Sequence, residues 1–199
     1  AATPNRTFAL SPEETQIGNT LYDLQSNTLL NNRVHRFADG TFGAVWTRGI
    51  EASAFPGRGT GYNYFDGTSW GAAPTERIES LRTGWPSYAP LGANGEIVIS
   101  HDFGALVLYV LTRADKGTGA WTETPYTYSN GPSTLSWCRM VTAGTDNNTV
   151  HLVANSNVLY EGQFACVYSR SSDAGVTWDI ENEILDGMGS DYYLDIGAD

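Results

Sequence analysis

Three arginines stand where strand-like runs begin, and they are the first candidates for chemistry in this 199-residue chain. Arg36 lies in Asn32-Arg33-Val34-His35-Arg36-Phe37, Arg82 leads into Thr83-Gly84-Trp85-Pro86-Ser87-Tyr88, and Arg139 opens the run to Thr142. A guanidinium is a planar fork of donors that matches a carboxylate, so arginines from several strands can clamp one anionic group. The alternative is that they pair structurally with the plentiful Asp and Glu. Trp85, Tyr88 and Trp137 flank these arginines. With Tyr62 and Tyr160 they offer flat faces that stack on sugars or anchor a protein partner. Glu51, Glu79 and Asp102 are early loop carboxylates, but no motif singles one out as an acid or base, and a solvated loop carboxylate is the plainer reading. His35, His101 and His151 lack close ligand spacing, so no zinc site is expected. Asp66-Gly67 and Asp146-Asn147-Asn148 read as ordinary turns rather than calcium loops. No metal or other cofactor is expected. Arg58-Gly59-Thr60-Gly61-Tyr62-Asn63-Tyr64 has spaced glycines, but no Lys-Ser/Thr and no helix follow, so it reads as a flexible lead into a strand rather than a phosphate loop.

Charge and composition narrow the partners. The net charge is -11, and Lys116 is the only lysine beside ten arginines. Nucleic-acid binding needs basic patches to neutralise phosphates, so no nucleic-acid partner is expected. No run approaches the eighteen apolar residues of a membrane helix, and the longest, Ala105 to Leu111, has the length of a strand. The chain opens Ala-Ala-Thr-Pro, which fits a mature secreted protein after signal removal, or a fragment. Asn5-Arg6-Thr7 and Asn147-Asn148-Thr149 match the N-glycosylation triplet, a pattern common by chance.

The elements that must position these residues repeat. Residues 1–32 are an N-terminal segment in which Leu21, Leu24, Leu29 and Leu30 either form a short anchoring strand or stay irregular. Strand-like runs then follow in units: Arg33 to Ala38, Thr41 to Thr47, Thr60 to Phe65 and a short strand after Trp70; Tyr88 to Leu91, Glu96 to Ser100, Leu106 to Thr112 and a strand after Trp121; Arg139 to Thr142, Val150 to Ala154, Phe164 to Tyr168 and a strand restarting at Val176-Thr177-Trp178. Asp39-Gly40 and Asn94-Gly95 are tight hairpin turns, and Asp146-Asn147 closes the matching hairpin. Trp70, Trp121 and Trp178 recur 51 and 57 residues apart, and Trp85 and Trp137 lie 52 apart. A period near fifty with four strands in each unit is propeller arithmetic. The units span 33–80, 81–130 and 131–186, and Tyr192-Tyr193-Leu194-Asp195 in 187–199 opens another.

Ser171-Ser172-Asp173-Ala174-Gly175-Val176-Thr177-Trp178 is the clearest motif. Asp173 can accept N–H groups from the residues after it, and Gly175 supplies a backbone angle that a Cβ resists. With Ser171, Thr177 and Trp178 these residues resemble the Asp-box of sialidase-like (BNR) β-propellers. The turns ending at Trp70 and Trp121 keep its Asp, Gly and Trp. The resemblance implies an all-β fold: one partial propeller over 1–199, with about three four-stranded blades of a larger ring. The missing blades would come from a longer chain or from another chain. It also implies that the Asp-box stiffens a blade without doing chemistry, and that the opposite side carries any active site. Family sialidases clamp the substrate carboxylate with an Arg from a Phe/Tyr-Arg-Ile-Pro sequence. Arg33 or Arg36 matches that place, though the Ile-Pro is missing. They also use an early acid/base Asp and a Tyr nucleophile assisted by Glu, a departure from the two-carboxylate scheme. The stretches at 58–64 and 82–88, with the Asp-box, resemble uncharacterised secreted propellers of Bacteroidetes, many with a type IX sorting domain; none is visible here. The implied function is a secreted or cell-surface propeller that binds glycan or a surface protein and is not catalytic as this chain alone. The alternative is an exo-glycosidase of sialidase type acting on terminal acidic sugars once the ring is complete.

The two cysteines follow from strand order. Cys138 would precede the first strand of the third unit and Cys166 would lie in its third, with the second strand between them. Two strand spacings of about 4.8 Å exceed the roughly 7 Å Cα separation a disulfide tolerates, so two free buried thiols are expected.

Overall fold

The computed structural model describes residues 14–26, 31–102 and 104–186. Among these the regular structure is all β. The strands are β1 (Val34–Arg36), β2 (Phe42–Arg48), β3 (Gly59–Phe65), β4 (Thr83–Leu91), β5 (Gly95–Asp102), β6 (Leu108–Arg113), β7 (Thr122–Pro125), β8 (Leu135–Ala143), β9 (Thr149–Ser156), β10 (Cys166–Ser171) and β11 (Ile180–Ile184). They form three antiparallel meanders, β1-β2-β3, β4-β5-β6-β7 and β8-β9-β10-β11. Branched and aromatic residues on alternating positions drive this, because each strand buries one or both pleated faces. The expected opening of another unit in 187–199 lies outside the described residues, as do Asn5-Arg6-Thr7, Leu29 and Leu30. Among the described residues no helix is long and apolar enough to cross a membrane.

Two inter-sheet layers hold the meanders together. Val45, Tyr88, Val98 and Leu111 pack between the first and second sheets. Ile97, Ile99, Leu108 and Val110 of the second meet Cys138, Met140, Val150 and Leu152 of the third. The first strands of the sheets lie side by side. The Tyr88 N–H donates to the Asn32 carbonyl at 2.9 Å, Asn32 Nδ2 donates to the Met140 carbonyl at 3.2 Å, and Ser87 Oγ accepts from the Met140 N–H at 3.0 Å.

The Asp-Gly turns do more than reverse the chain. At the full motif, Asp173 Oδ1 accepts the Thr177 N–H at 2.8 Å, Oδ2 accepts the Thr177 hydroxyl at 2.6 Å, and Ser171 Oγ donates to Oδ1 at 2.8 Å. These bonds, led by those from Thr177, hold the Asp173 carboxyl below the usual range. Gly175 has φ +86°, and its Cα faces Val110 and Ile97 of the preceding sheet. The turn at Asp115-Lys116-Gly117 repeats this: Gly117 has φ +77° and faces the Tyr64 ring of the first sheet. Trp121 and Trp178 pack in the same two layers, against Tyr62 at 5.5 Å and Tyr126 at 4.7 Å between ring centroids. Each turn therefore fastens its sheet to the one before it. Removing the carboxylate in Asp173→Ala is expected to cost about 1 kcal/mol, because it takes the acceptor from the Thr177 N–H and from the Thr177 and Ser171 hydroxyls at a largely exposed turn. Urea unfolding would measure it, and a loss below about 0.5 kcal/mol would contradict this role.

One expected strand is absent and another begins late. After Trp70 only the isolated bridge Phe65↔Trp70 forms, so the first sheet has three strands rather than four. Gly71-Ala72-Ala73-Pro74 follows, with little strand propensity and one residue lacking an N–H. Val176-Thr177-Trp178 does not restart a strand either. Asp173 consumes the Thr177 N–H, Val176 is 78% exposed, and β11 begins at Ile180. Residues 14–26 stay irregular, with Leu21 and Leu24 exposed. Polar groups anchor them instead: Gln25 Nε2 donates to the Thr47 carbonyl at 2.8 Å and Gln25 Oε1 accepts the Thr47 N–H at 3.0 Å. Cys138 and Cys166 are free and buried on β8 and β10, with β9 between them. Burial pushes the thiols up to about 12 and about 11.

Candidate functional site

Turns of the two kinds gather on one side. Lys116 reaches Asp39 at 3.0 Å, the Lys116 N–H donates to the Asn94 carbonyl at 2.8 Å, and the Ala174 N–H donates to the Asn148 carbonyl at 2.9 Å. The opposite side collects the loops after β2, β5 and β7. There Trp85 and Trp137 occupy equivalent positions on β4 and β8. Each lies within a register shift, between Gly84 and Ser87 and between Ser136 and Arg139. Their φ angles are +52° and +54°, a region bulky residues avoid. A bulge re-aims its side chain, and here it turns both indoles onto His101 of β5. Trp85 stacks on the imidazole at 5.0 Å and 3°, Trp137 meets it edge-on at 5.2 Å, and the two indoles are 4.7 Å apart.

Arginines surround this stack. Arg58 lays its guanidinium over Trp85 at 4.6 Å and over Tyr22 at 5.1 Å, and its Nε donates to the Thr83 carbonyl at 2.9 Å. Gly84 permits this, since a Cβ there would lie 3.1 Å from Arg58 Nε. Arg82 Nε and Nη2 donate to the Phe55 and Ala54 carbonyls at 2.9 and 2.8 Å. Arg139 is buried, with Nη1 donating to the Cys138 carbonyl at 2.9 Å. Arg33 Nη1 donates to Gln25 Oε1 at 3.4 Å, and Nη2 donates to the Gln25 carbonyl. Burial, followed by the charge of Arg139, lowers Arg33 to about 10. Burial also lowers Arg58; Tyr22 opposes that shift and Arg82 adds to it. His101 is lowered to about 3, first by burial, then by Arg58, with Asp102 opposing and Arg139 adding. The imidazole is therefore neutral near pH 7. Its Nδ1 accepts the Trp137 N–H at 3.4 Å, which puts the ring proton on Nε2.

The residues singled out in the sequence divide. Arg82, Trp85, Trp137 and Arg139 come together here, and Arg33 joins them. Arg36 does not: it is exposed at the turn side, with its guanidinium 6.0 Å from the Phe42 ring. Tyr88 is not a loop aromatic but is 1% exposed between two sheets. Tyr62 lies in the same layer, and Tyr160 packs against the core of the third sheet. Among the carboxylates, Asp102 accepts the Gly104 and Ala105 N–H groups at 2.9 and 2.6 Å and closes its own loop. Glu79 is buried and accepts the Thr60 N–H, the Thr60 hydroxyl and the Ser100 hydroxyl at 2.8, 2.5 and 2.9 Å. Glu51 accepts the Gly57 N–H at 2.9 Å.

A phenol–carboxylate set does exist, away from the arginines. Glu96 accepts from Tyr62 at 2.8 Å, from Tyr88, and from Arg113 Nε at 2.6 Å. Burial and the Glu96 charge both hold the two phenols protonated, well above the usual range. That is the reverse of an activated nucleophile. Sequence reasoning does not single out Arg58 or His101 as a site residue. The available signal was glycine: Gly59 and Gly84 are bare where Arg77 and Arg58 cross the backbone. Among the described residues no group of His, Cys, Asp and Glu is arranged to hold a metal ion. No protein-family model matches the chain, and no curated protein is significantly similar to it.

Proposed function

We propose that the chain is a run of blades from a sialidase-like Asp-box β-propeller, secreted or at the cell surface, and that its arginine–tryptophan cluster binds an acidic sugar without turning it over. The remaining blades come from a longer chain or from another chain. One observation carries the ligand reading. In a chain of net charge -11, Arg33, Arg82 and Arg139 at the three first strands and Arg58 before β3 gather around stacked Trp85, His101 and Trp137. Arg33 feels Arg139, Arg58 feels Arg82, and His101 feels Arg58 and Arg139. Like charges held this close favour an anion between them, and the indole faces suit a sugar ring. The binding reading is preferred over turnover because Tyr62 and Tyr88 are kept protonated by burial beside Glu96.

The second reading, an exo-glycosidase, draws on the same arginines and is separated by assay. Saturation-transfer NMR with a methyl sialoside should detect binding. Arg82→Ala and Arg33→Ala should each weaken it by about tenfold to a hundredfold, the worth of one charge-assisted bond. Arg36→Ala should leave it unchanged. Binding indifferent to Arg33 and Arg82 would overturn the reading. Release of a fluorescent aglycone from a sialoside, lost in Arg33→Ala, would establish turnover instead.

A further inference from the structure

Asn-Gly occurs twice in the chain, at Asn94-Gly95 and Asn130-Gly131, and the fold holds the two pairs differently. In such a pair the next backbone nitrogen can close a five-membered ring on the side-chain amide carbon, and glycine has no Cβ to block the approach. Asn94 is pinned. Its Nδ2 donates to Asp115 Oδ1 at 3.4 Å, its Oδ1 accepts from Lys116 Nζ at 3.2 Å, and its carbonyl accepts the Lys116 N–H at 2.8 Å. Gly95 is buried at the start of β5, where a Cβ would lie 2.5 Å from the Arg113 carbonyl and 2.8 Å from that of Leu91. Its nitrogen cannot turn towards the Asn94 side chain without opening the hairpin.

Asn130 is exposed in a bend between β7 and β8, with no strand ladder to break. Among the described residues its hydrogen bonds are those of the main chain alone: its N–H donates to Glu181 Oε2 at 3.3 Å and its carbonyl accepts Asn182 Nδ2 at 2.9 Å. The side-chain amide has no such partner there, and no described group accepts the Gly131 N–H. Nucleophile and target are both uncommitted. The glycine is also fixed by packing. A Cβ at 131 would lie 2.4 Å from Asn182 Nδ2 and 2.9 Å from the Tyr128 ring, so no bulkier, protecting residue fits after Asn130. The same crossing ties the loop to β11. Asn182 is buried in that strand, and its neighbour Glu181 accepts the Ser129 N–H at 2.9 Å and the Ser129 hydroxyl at 2.6 Å.

We propose that Asn130 is a self-modifying site that converts to aspartate and isoaspartate as the protein ages, and that the isoaspartate releases the 127–134 loop from β11. The Gly131 nitrogen attacks Asn130 Cγ. The N–Cγ bond forms, the Cγ–Nδ2 bond breaks, and Nδ2 leaves as ammonia with the Gly131 proton. Water then opens the cyclic imide at either carbonyl, with no change of oxidation state. Isoaspartate lengthens the main chain by a methylene, which moves its carbonyl off Asn182 Nδ2 and leaves that donor unpaired. The test ages the full chain in mildly alkaline buffer. Peptide mass spectrometry follows both asparagines, and an isoaspartyl methyltransferase counts isoaspartate. Asn130 should convert at least about tenfold faster than Asn94, which reacts only after its hairpin opens. In urea the two rates should converge, which separates the fold from the dipeptide. Equal rates in the folded chain, or faster conversion at Asn94, would overturn the site. Isoaspartyl chains isolated by ion exchange should show faster hydrogen exchange at the Ser129 amide, which bonds Glu181. Asn130→Asp keeps the main-chain length and should change that amide less. An unchanged Ser129 amide in isoaspartyl chains, or an equal change in Asn130→Asp, would overturn the release of the loop.

Discussion

Glu96→Ala should lower folding stability by about 3–5 kcal/mol, the cost of leaving a buried charge without its partner. Glu96 is 0% exposed and joins two sheets. It accepts the Tyr62 hydroxyl from the first sheet at 2.8 Å and the Tyr88 hydroxyl from the second. It also accepts the Gly117 N–H of the Asp-Gly turn at 3.1 Å. Arg113 donates to it from Nε at 2.6 Å, while Nη2 approaches at 2.6 Å as an ion contact without hydrogen-bond alignment. Alanine strands the guanidinium between the Tyr62 and Trp121 rings, each 4.4 Å away. Glu96→Gln keeps a neutral acceptor for the phenols and should lose less. Removing both charges in Glu96→Leu with Arg113→Met should recover part of the loss, since an apolar pair carries no desolvation cost. Urea midpoints at constant m measure all three. A loss below about 1 kcal/mol for Glu96→Ala would show that the network contributes little.

Acid should destabilise this protein through His101 well before its carboxylates titrate. The folded pKa is about 3, below the ordinary imidazole value of about 6.5. Between these values the unfolded chain takes up a proton that the folded chain refuses. Stability is therefore complete above about pH 7 and falls as pH drops through that window. The loss from pH 7 to pH 4 is on the order of 3 kcal/mol. His101→Phe keeps a ring on Trp85 and removes the proton, so its stability should be nearly flat over the same range. Asp39 and Asp173 are held below the usual carboxylate range and act mainly at lower pH. Parallel urea midpoints for the two proteins at several pH values measure the difference. An identical slope in His101→Phe would assign the acid limb elsewhere.

These two residues mark how far the sequence could be read. Glu96 stood in a recognised strand, but nothing local announces that Tyr62, Tyr88 and Arg113 converge on it. Those partners lie 34, 8 and 17 residues away in sequence: strand pairing sets Arg113 opposite Glu96 and Tyr88 on the neighbouring strand, and sheet stacking adds Tyr62. His101 shows no ligand spacing in the sequence, and stacking on an indole leaves no spacing to read. Arg33 and Arg36 both fit the expected place in sequence, but they stand three residues apart, and an odd number of steps along a strand moves a side chain to the other face. Both lie near β1, yet Arg33 meets Arg139 while Arg36 is exposed at the turn side.

What the sequence determined by itself was local and periodic. The Asp-Gly and Asn-Gly turns, the Trp spacings near fifty residues, the alternating strands and the Ser171–Trp178 turn are each set by a few neighbouring residues whose backbone preferences act within one turn of chain. Strand order followed from these, and the separation of Cys138 from Cys166 followed from strand order. The tertiary structure decided the rest: the bulges that swing Trp85 and Trp137 onto His101, the burial of Tyr88, and the gathering of Arg33, Arg58, Arg82 and Arg139. Long-range packing and desolvation set these, because a side chain's partners and the cost of its charge depend on which sheets meet around it rather than on its neighbours in the chain.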